Sequence, residues 1–264
     1  MGNTEKNKEI YQYARRFLIE HLPEGLSESD LEKYFEGDDR KSSSLSDVFV
    51  VFIKSAQEYQ RMPNVIKLEE RMESIREILF GFDYKRVALL KEEDLYKQFR
   101  QEFEVTSKDS KNNSWYKWSC AIIDSAKFIS GFKDFDDFRE FVKRFDYNTE
   151  TRMALPLLIS TKIRGIGFAL ACNALKELGY LDYPKPDVHM IDICEALGLS
   201  GNSPYEVFEA IVHMAKDNGV TPYEVDKVLW LISSGRYYKD DITDKSRKDE
   251  FIREMQERLG DGTV

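Results

Sequence analysis

Apolar residues recur along most of the chain at the three- and four-residue spacing of amphipathic helices. Ile10, Ala14 and Phe17 belong to one such stripe, and Val48 and Phe52 belong to a second. Outside the helical segments, no stretch of strand length alternates apolar and polar residues. The pattern therefore predicts an all-α fold. Beyond the two stripes, helices are expected over 28–36, 66–80, 92–103, 114–130, 134–145, 149–159, 168–178, 188–197, 204–218, 221–234 and 247–259.

Glycine and proline residues separate these helices. Ser203-Pro204 and Thr221-Pro222 each combine a preferred N-cap residue with proline at the first helical position, so each marks a helix start. Two polar stretches, 37–46 and 106–114, are expected to be surface loops. The predicted divisions are N-terminal helices packing on the core (1–45), a helical subdomain (46–150), a subdomain with the motifs described below (151–240) and a C-terminal helix or tail (241–264).

Composition narrows the classes of function. The chain has 39 Lys and Arg against 48 Asp and Glu, a net charge of −9, which argues against a protein that coats nucleic acid over its whole surface. A local basic face is compatible with this balance. An apolar run long enough to span a membrane is absent, and the charged N-terminus lacks an apolar signal core, so we expect a cytoplasmic protein. The cysteines (Cys120, Cys172, Cys194) lie in apolar contexts without CxxC spacing, which predicts buried free thiols and no cysteine-held metal.

The most informative stretch is 162–171, which reads KIRGIGFALA. Gly165 and Gly167 stand between two predicted helices, where they allow a tight turn and a close approach of another backbone. N–H groups beside a helix N-terminus form an anion-binding concavity. Residues 151–176 contain four basic side chains and no acidic one, which favours a phosphate ligand. An ordinary helix–turn–helix with a buried second helix is the alternative, since its apolar composition also lowers the number of acidic residues.

An aspartate follows the hairpin in the segment Pro186-Asp187-Val188-His189. Asp187 is placed to cap the next helix, and capping alone explains an aspartate at this position. A carboxylate held at a helix start also has the chemistry to stabilise an oxocarbenium-like sugar or to activate water, as N-glycosidic cleavage requires. His189 is placed to donate a hydrogen bond to a phosphate, and a plain surface histidine would look the same.

Together, these two segments resemble the helix–hairpin–helix DNA glycosylases. Gly165-Ile166-Gly167 matches the family's hairpin, Ala171 matches the small residue of the following helix, and Asp187 matches the catalytic aspartate at the family's spacing. Residues 187–190 are most similar to the 8-oxoguanine glycosylase branch. Specific resemblance covers 155–200, and a weaker likeness to 3-methyladenine glycosylases covers 82–95.

The resemblance implies two interlocked helical subdomains with a cleft between them, and a monomer that excises a modified base from double-stranded DNA. It implies no required cofactor, a monovalent cation held by the hairpin carbonyls, and no membrane partner. Asp187 would be the catalytic residue. The residues that the resemblance and their position assign to DNA binding are Lys162, Arg164, Gly165, Ile166, Gly167, Phe168 and His189.

The chain departs from the family pattern at three places. Arg164 replaces the hairpin proline and is expected to add a cation near the phosphate. Ala169 stands where bifunctional members carry a Schiff-base lysine, which predicts a monofunctional glycosylase unless Lys162 or Lys185 takes that role. The four-cysteine cluster of endonuclease III and adenine glycosylase is missing, which argues against those two branches.

A flipped base has to be read by aromatic side chains. The candidates are Trp115, Tyr116 and Trp118, followed by Tyr59, although Trp118 would fit a helix core equally well. Two other classes of function remain open: a non-catalytic hairpin module that binds DNA, and an all-α protein whose Gly-Ile-Gly turn contacts only protein. Oxidised purines, alkylated purines and modified bases of phage DNA are all compatible substrates.

Overall fold

A computed structural model describes residues 2–37 and 42–261, and it confirms the all-α prediction. Residues 38–41, in the predicted loop 37–46, and residues 262–264, at the end of the predicted C-terminal segment, lie outside the described residues. The helices are α1 (Asn3–Glu20), α2 (Glu28–Phe35), α3 (Leu45–Gln57), α4 (Met62–Ile66), α5 (Met72–Ile78), α6 (Tyr84–Val87), α7 (Glu92–Glu102), α8 (Ser114–Ile129), α9 (Phe135–Lys143), α10 (Thr149–Lys162), α11 (Phe168–Glu177), α12 (Val188–Ala196), α13 (Pro204–Asn218), α14 (Pro222–Ser234) and α15 (Lys248–Asp261). Two short strands, β1 (Arg236–Tyr237) and β2 (Ile242–Thr243), pair antiparallel.

The main departures from the predicted helices occur where the backbone leaves the helical region. The predicted helix 66–80 is interrupted because Lys67 adopts the left-handed conformation, with φ of 52°, and ends α4. The next helix, α5, starts only at Met72. The sequence pattern does not predict α6, a single turn started by Asp83, whose carboxylate accepts hydrogen bonds from two backbone N–H groups. The β-strands, two residues each, are too short to show an alternating pattern.

Contacts divide the chain into two compact units. The terminal unit lies within Met1–Asp39 and Gly179–Val264, and the middle unit lies within Arg40–Leu178. This division differs from the predicted one, because Asp187 shares a unit with both ends of the chain while the hairpin belongs with 46–150. Packing explains the difference: α1 packs against α13 and α14, whereas α11 packs against α10 and α3.

Helix α8 is the central element of the middle unit. Its sequence, SWYKWSCAIIDSAKFI, is apolar around most of its circumference, so it is covered on several sides. It packs against α3, α4, α6, α7 and α10. One of its few charged residues, Asp124, is near the hairpin and is described below.

Helix α14 has the corresponding position in the terminal unit, where it packs against α1, α2, α12, α13 and α15. Its predicted start is confirmed: Thr221 is the N-cap, its Oγ1 accepts a hydrogen bond from the backbone N–H of Glu224 at 3.1 Å, and Pro222 occupies the first turn. Because proline has no N–H and a φ that suits a helix, it costs nothing at that position.

The three cysteines are buried thiols rather than disulfides, as predicted. Burial raises the pKa of the Cys194 thiol to about 12, so this thiol is protonated at neutral pH. Among the helices of the described ranges, none has the length and apolar character needed to cross a membrane.

Candidate functional site

Residues 163–166 form a tight turn between α10 and α11. The backbone N–H of Ile166 donates to the carbonyl of Ile163 at 3.2 Å, and Gly165 has φ of +83°. These are the features of a type II β-turn, whose third residue needs a positive φ and is therefore usually glycine. Gly165 thus has the turn-forming role that the sequence predicts.

Gly167 is the N-cap of α11, with φ of −83° and ψ of 178°, and its carbonyl accepts the backbone N–H of Ala171 at 2.9 Å. A Cβ at Gly167 would meet no described atom within 4 Å, so this face of the hairpin is open. Ile166 and Phe168 are buried on either side of it. The apolar side chains therefore anchor the hairpin while its glycine backbone faces solvent, beside the positive end of α11.

Arg164 is already paired within the middle unit. Its Nε and Nη2 bind the two carboxylate oxygens of Asp124 at 2.6 and 2.9 Å, and its Nη1 binds Glu92 Oε1 at 3.0 Å. The backbone N–H of Arg164 also donates to Asp124 Oδ2 at 3.1 Å. Arg164 is therefore paired with two carboxylates while its side chain stays 52% exposed, and its expected role as a cation near the phosphate stays a prediction.

These ion pairs change the pKa values of both kinds of partner. The hydrogen bonds that Arg164 donates to Asp124 and Glu92 raise its pKa further above neutrality, so it stays charged. The pKa of Glu92 is lowered by a hydrogen bond from its own backbone N–H and by Arg164. The sequence gives no local signal for either ion pair, since Asp124 precedes Arg164 by 40 residues and Glu92 precedes it by 72.

Lys162 is the cation that the hairpin leaves available. It is the last residue of α10, it is exposed, and it forms no ion pair with any residue of the described ranges. A flexible ammonium at this position suits a phosphate as a point charge. Its role in DNA binding stays a prediction.

Asp187 is the N-cap of α12, as the sequence predicts. Its Oδ1 accepts hydrogen bonds from the backbone N–H groups of His189 at 3.0 Å and Met190 at 3.4 Å. The second carboxylate oxygen, Oδ2, has no hydrogen-bond partner among the residues that the structure describes. The side chain is half-buried. One oxygen is therefore fixed by the helix start, and the other is available to a ligand.

His189 lies in the first turn of α12 and is also half-buried. Its Nδ1 is buried and has no hydrogen-bond partner in the described part of the chain. Buried polar atoms are usually paired, so an unpaired one indicates a position that a ligand or a water completes. His189 follows Asp187 by two residues and lies in the helix turn that Asp187 caps.

Two of the four predicted base-reading aromatics are core residues. Trp115 and Trp118 are 1% and 0% exposed. The indole N–H of Trp118 donates to the carbonyl of Ile53 at 2.9 Å, and both rings pack against Phe99. A base can stack only on a ring face that solvent can reach. The prediction that these tryptophans read the base is therefore corrected.

Tyr116 and Tyr59 remain candidates for that role. Tyr116 is half-buried, its ring lies edge-on to Tyr96, and its hydroxyl is 3.5 Å from Glu93 Oε1. Tyr59 is 37% exposed just after α3. Tyr59 is the more accessible of the two.

Among the described residues, no group of three or more His, Cys, Asp or Glu side chains is arranged to hold a metal ion. Comparison with known proteins supplies no relative, since no protein-family model, curated protein or solved structure matches the chain. Function is therefore inferred from the motif resemblance and from the geometry of the hairpin and of Asp187.

Proposed function

We propose that the chain is a DNA glycosylase that removes a modified base from double-stranded DNA by hydrolysing the N-glycosidic bond. The observation that supports this most is the state of Asp187, whose Oδ1 is held by the start of α12 while Oδ2 lacks a partner in the described residues. A carboxylate that stabilises a developing positive charge has to be fixed in advance and has to keep an oxygen available. Capping uses only Oδ1, which leaves Oδ2 for the proposed role.

In this proposal, the hairpin binds the phosphate backbone of the DNA. The turn at Gly165 and the N-cap at Gly167 leave an open backbone surface beside the positive end of α11, to which a phosphate is attracted. Lys162 adds the mobile positive charge. His189, half-buried in the first turn of α12, contributes a further phosphate contact in this proposal through the part of its ring that solvent reaches. Binding through so few groups agrees with a chain of net charge −9.

The proposed reaction begins when the target nucleotide rotates out of the duplex. The bond between the sugar C1′ and the base nitrogen breaks, and its electron pair leaves with the base. Asp187, ionised, stabilises the positive charge that develops on the deoxyribose. A water oxygen then bonds to C1′, its released proton goes to Asp187 or to solvent, and the base takes up a proton as it departs.

The product in this proposal is an abasic site in an unbroken strand. Ala169 stands where a lyase would carry its lysine, and a methyl group cannot form a Schiff base with the sugar. Strand breaks should therefore appear only after treatment with hot alkali.

The resemblance also implies a monovalent cation at the hairpin. The carbonyl oxygens of the turn 163–166 are the hard donor type that such an ion takes, although the Ile163 carbonyl already accepts the N–H of Ile166. When bound, the ion would supply positive charge next to a phosphate. None of the steps above depends on it.

The proposal is tested with labelled duplexes that each carry one 8-oxoguanine, alkylated purine, uracil or hydroxymethylcytosine derivative. Alkali-dependent breaks at one of these bases are the expected result, and they name the substrate class. Breaks without alkali would contradict the monofunctional mechanism and would make Lys162 or Lys185 the candidate Schiff-base lysine. Salt-sensitive binding without base release from any duplex would favour a non-catalytic hairpin module.

A further inference from the structure

A buried carboxylate that the proposed mechanism does not use lies against the loop leading to Asp187. Asp226, on α14, is 2% exposed, and its Oδ2 accepts a hydrogen bond from the backbone N–H of Lys185 at 2.9 Å. Carboxylates are seldom buried, because removing their charge from water is unfavourable. This one bonds the chain two residues before Asp187.

The same loop, 181–187, is held to α14 at a second point, where the backbone N–H of Tyr223 donates to the carbonyl of Leu181 at 2.9 Å. Pro184 and Pro186 are buried, and their rings fix φ on both sides of Lys185. Because proline has no N–H, Lys185 is the one backbone donor within 184–186. Its hydrogen bond to Asp226 therefore anchors this rigid stretch.

Lys185, which Asp226 anchors, is also hydrogen-bonded to Asp187. The carbonyl of Lys185 accepts the backbone N–H of Asp187 at 2.8 Å, which closes a three-residue turn centred on Pro186. Asp187 then bonds the start of α12 through Oδ1. A chain of hydrogen bonds thus runs from Asp226 through the Lys185 residue and Asp187 to the first turn of α12.

We propose that Asp226 is a positioning residue that sets the orientation of the Asp187 carboxylate by fixing the Lys185 amide. This inference rests on the proposed function. The role requires an acceptor oxygen at the end of the Asp226 side chain, and it requires no contact between Asp226 and the DNA. Loss of the anchor should therefore slow the chemical step and leave duplex affinity unchanged.

The experiment compares Asp226→Ala with Asp226→Asn in single-turnover base release and in duplex binding. The alanine variant should release base about tenfold more slowly or worse, with an unchanged Kd. The asparagine variant keeps an acceptor oxygen and should recover most of the rate. Asp217→Ala is the matched control, since Asp217 also lies in the terminal unit and its Oδ2 accepts from Asn7 Nδ2 at 2.7 Å, without a bond to the loop. Its rate should equal that of the wild type.

Amide hydrogen exchange separates failure of this inference from failure of the proposed function. In Asp226→Ala, the amides of Lys185, Asp187 and His189 should exchange faster, while Asp226→Asn should protect them. If the wild type releases no base, the proposed function fails. Independently of that result, unchanged exchange at these amides in the alanine variant would overturn the anchoring role of Asp226.

If the wild type is active, an alanine variant with the wild-type rate would overturn the positioning role alone. Should Asp226→Ala fail to fold, Asp226→Glu serves in its place, because it keeps the charge and displaces the acceptor by one methylene. The same loss of rate with unchanged Kd is expected, and a wild-type rate would again overturn the role.

Discussion

Asp124 holds Arg164 by three hydrogen bonds, two from the guanidinium at 2.6 and 2.9 Å and one from the backbone N–H at 3.1 Å. Arg164 occupies the second position of a type II turn, where proline is common because its ring fixes φ. The glycosylase family that the hairpin resembles has proline at this position. These three hydrogen bonds, called here the Asp124–Arg164 fork, therefore restrict the backbone of the turn, as the ring of a proline would.

Proline should be accepted at this position when the fork is removed. Ile163 is extended, with φ of −123° and ψ of 108°, which suits a residue that precedes proline. We expect Asp124→Ala/Arg164→Pro to be more stable than Asp124→Ala/Arg164→Ala by about 0.4 to 1 kcal/mol, because proline restricts the unfolded chain. Urea unfolding of the two double variants measures the difference. A less stable proline variant would show that this turn does not accept a proline φ.

Lys162 and Arg164 should differ in their effect on the salt dependence of DNA binding. Replacing Lys162 by alanine should reduce the slope of log K against log salt by about one, because one fewer counterion is released. Asp124→Ala/Arg164→Ala removes one cation together with its anion and should leave the slope unchanged. Fluorescence titrations at several salt concentrations provide both slopes. An equal reduction in the double variant would mean that Arg164 exchanges Asp124 for a phosphate in the complex.

The ion pair of Glu92 should contribute stability only while Glu92 is ionised. Its pKa is lowered below the ordinary value of 4.5 by its backbone N–H and by Arg164, so folding favours the charged form. The contribution is present above that value and is lost as the pH falls through the lower pKa of the folded state. Glu92→Gln should therefore be less stable than the wild type at neutral pH and should converge with it in acid. A difference that stays constant with pH would contradict this origin.

Trp118 should contribute to stability rather than to base recognition. With a fully buried ring and its N–H bonded to Ile53, Trp118→Ala should lose about 3 to 5 kcal/mol of unfolding free energy. Tyr59→Ala, at a side chain that is 37% exposed, should be nearly neutral in the same measurement. A Trp118→Ala protein with wild-type stability but no base release would restore the original assignment.

Local patterns predicted the helical fold, the turn at Gly165 and the cap at Asp187, since each follows from periodicity or from the backbone demands of neighbouring residues. The bonds that hold these residues in place join distant parts of the chain: Asp124 lies 40 residues from Arg164, and Asp226 lies 41 residues from Lys185. A local sequence pattern does not predict hydrogen bonds between residues so far apart. The burial of Trp115 and Trp118 likewise depends on which helices cover α8, and that helix is apolar on most sides.

The central claim is that the negative charge of Asp187 drives base release. Asp187→Asn isolates this charge because asparagine caps a helix as well as aspartate does. Single-turnover base release should fall by about 100-fold or more, while the Kd for the duplex stays unchanged. Asp134→Asn is the matched control, since Asp134 caps α9 through the backbone N–H of Asp137 at 3.0 Å and should keep the wild-type rate. Equal rates for the wild type and Asp187→Asn would contradict the glycosylase mechanism and leave Asp187 as a helix cap.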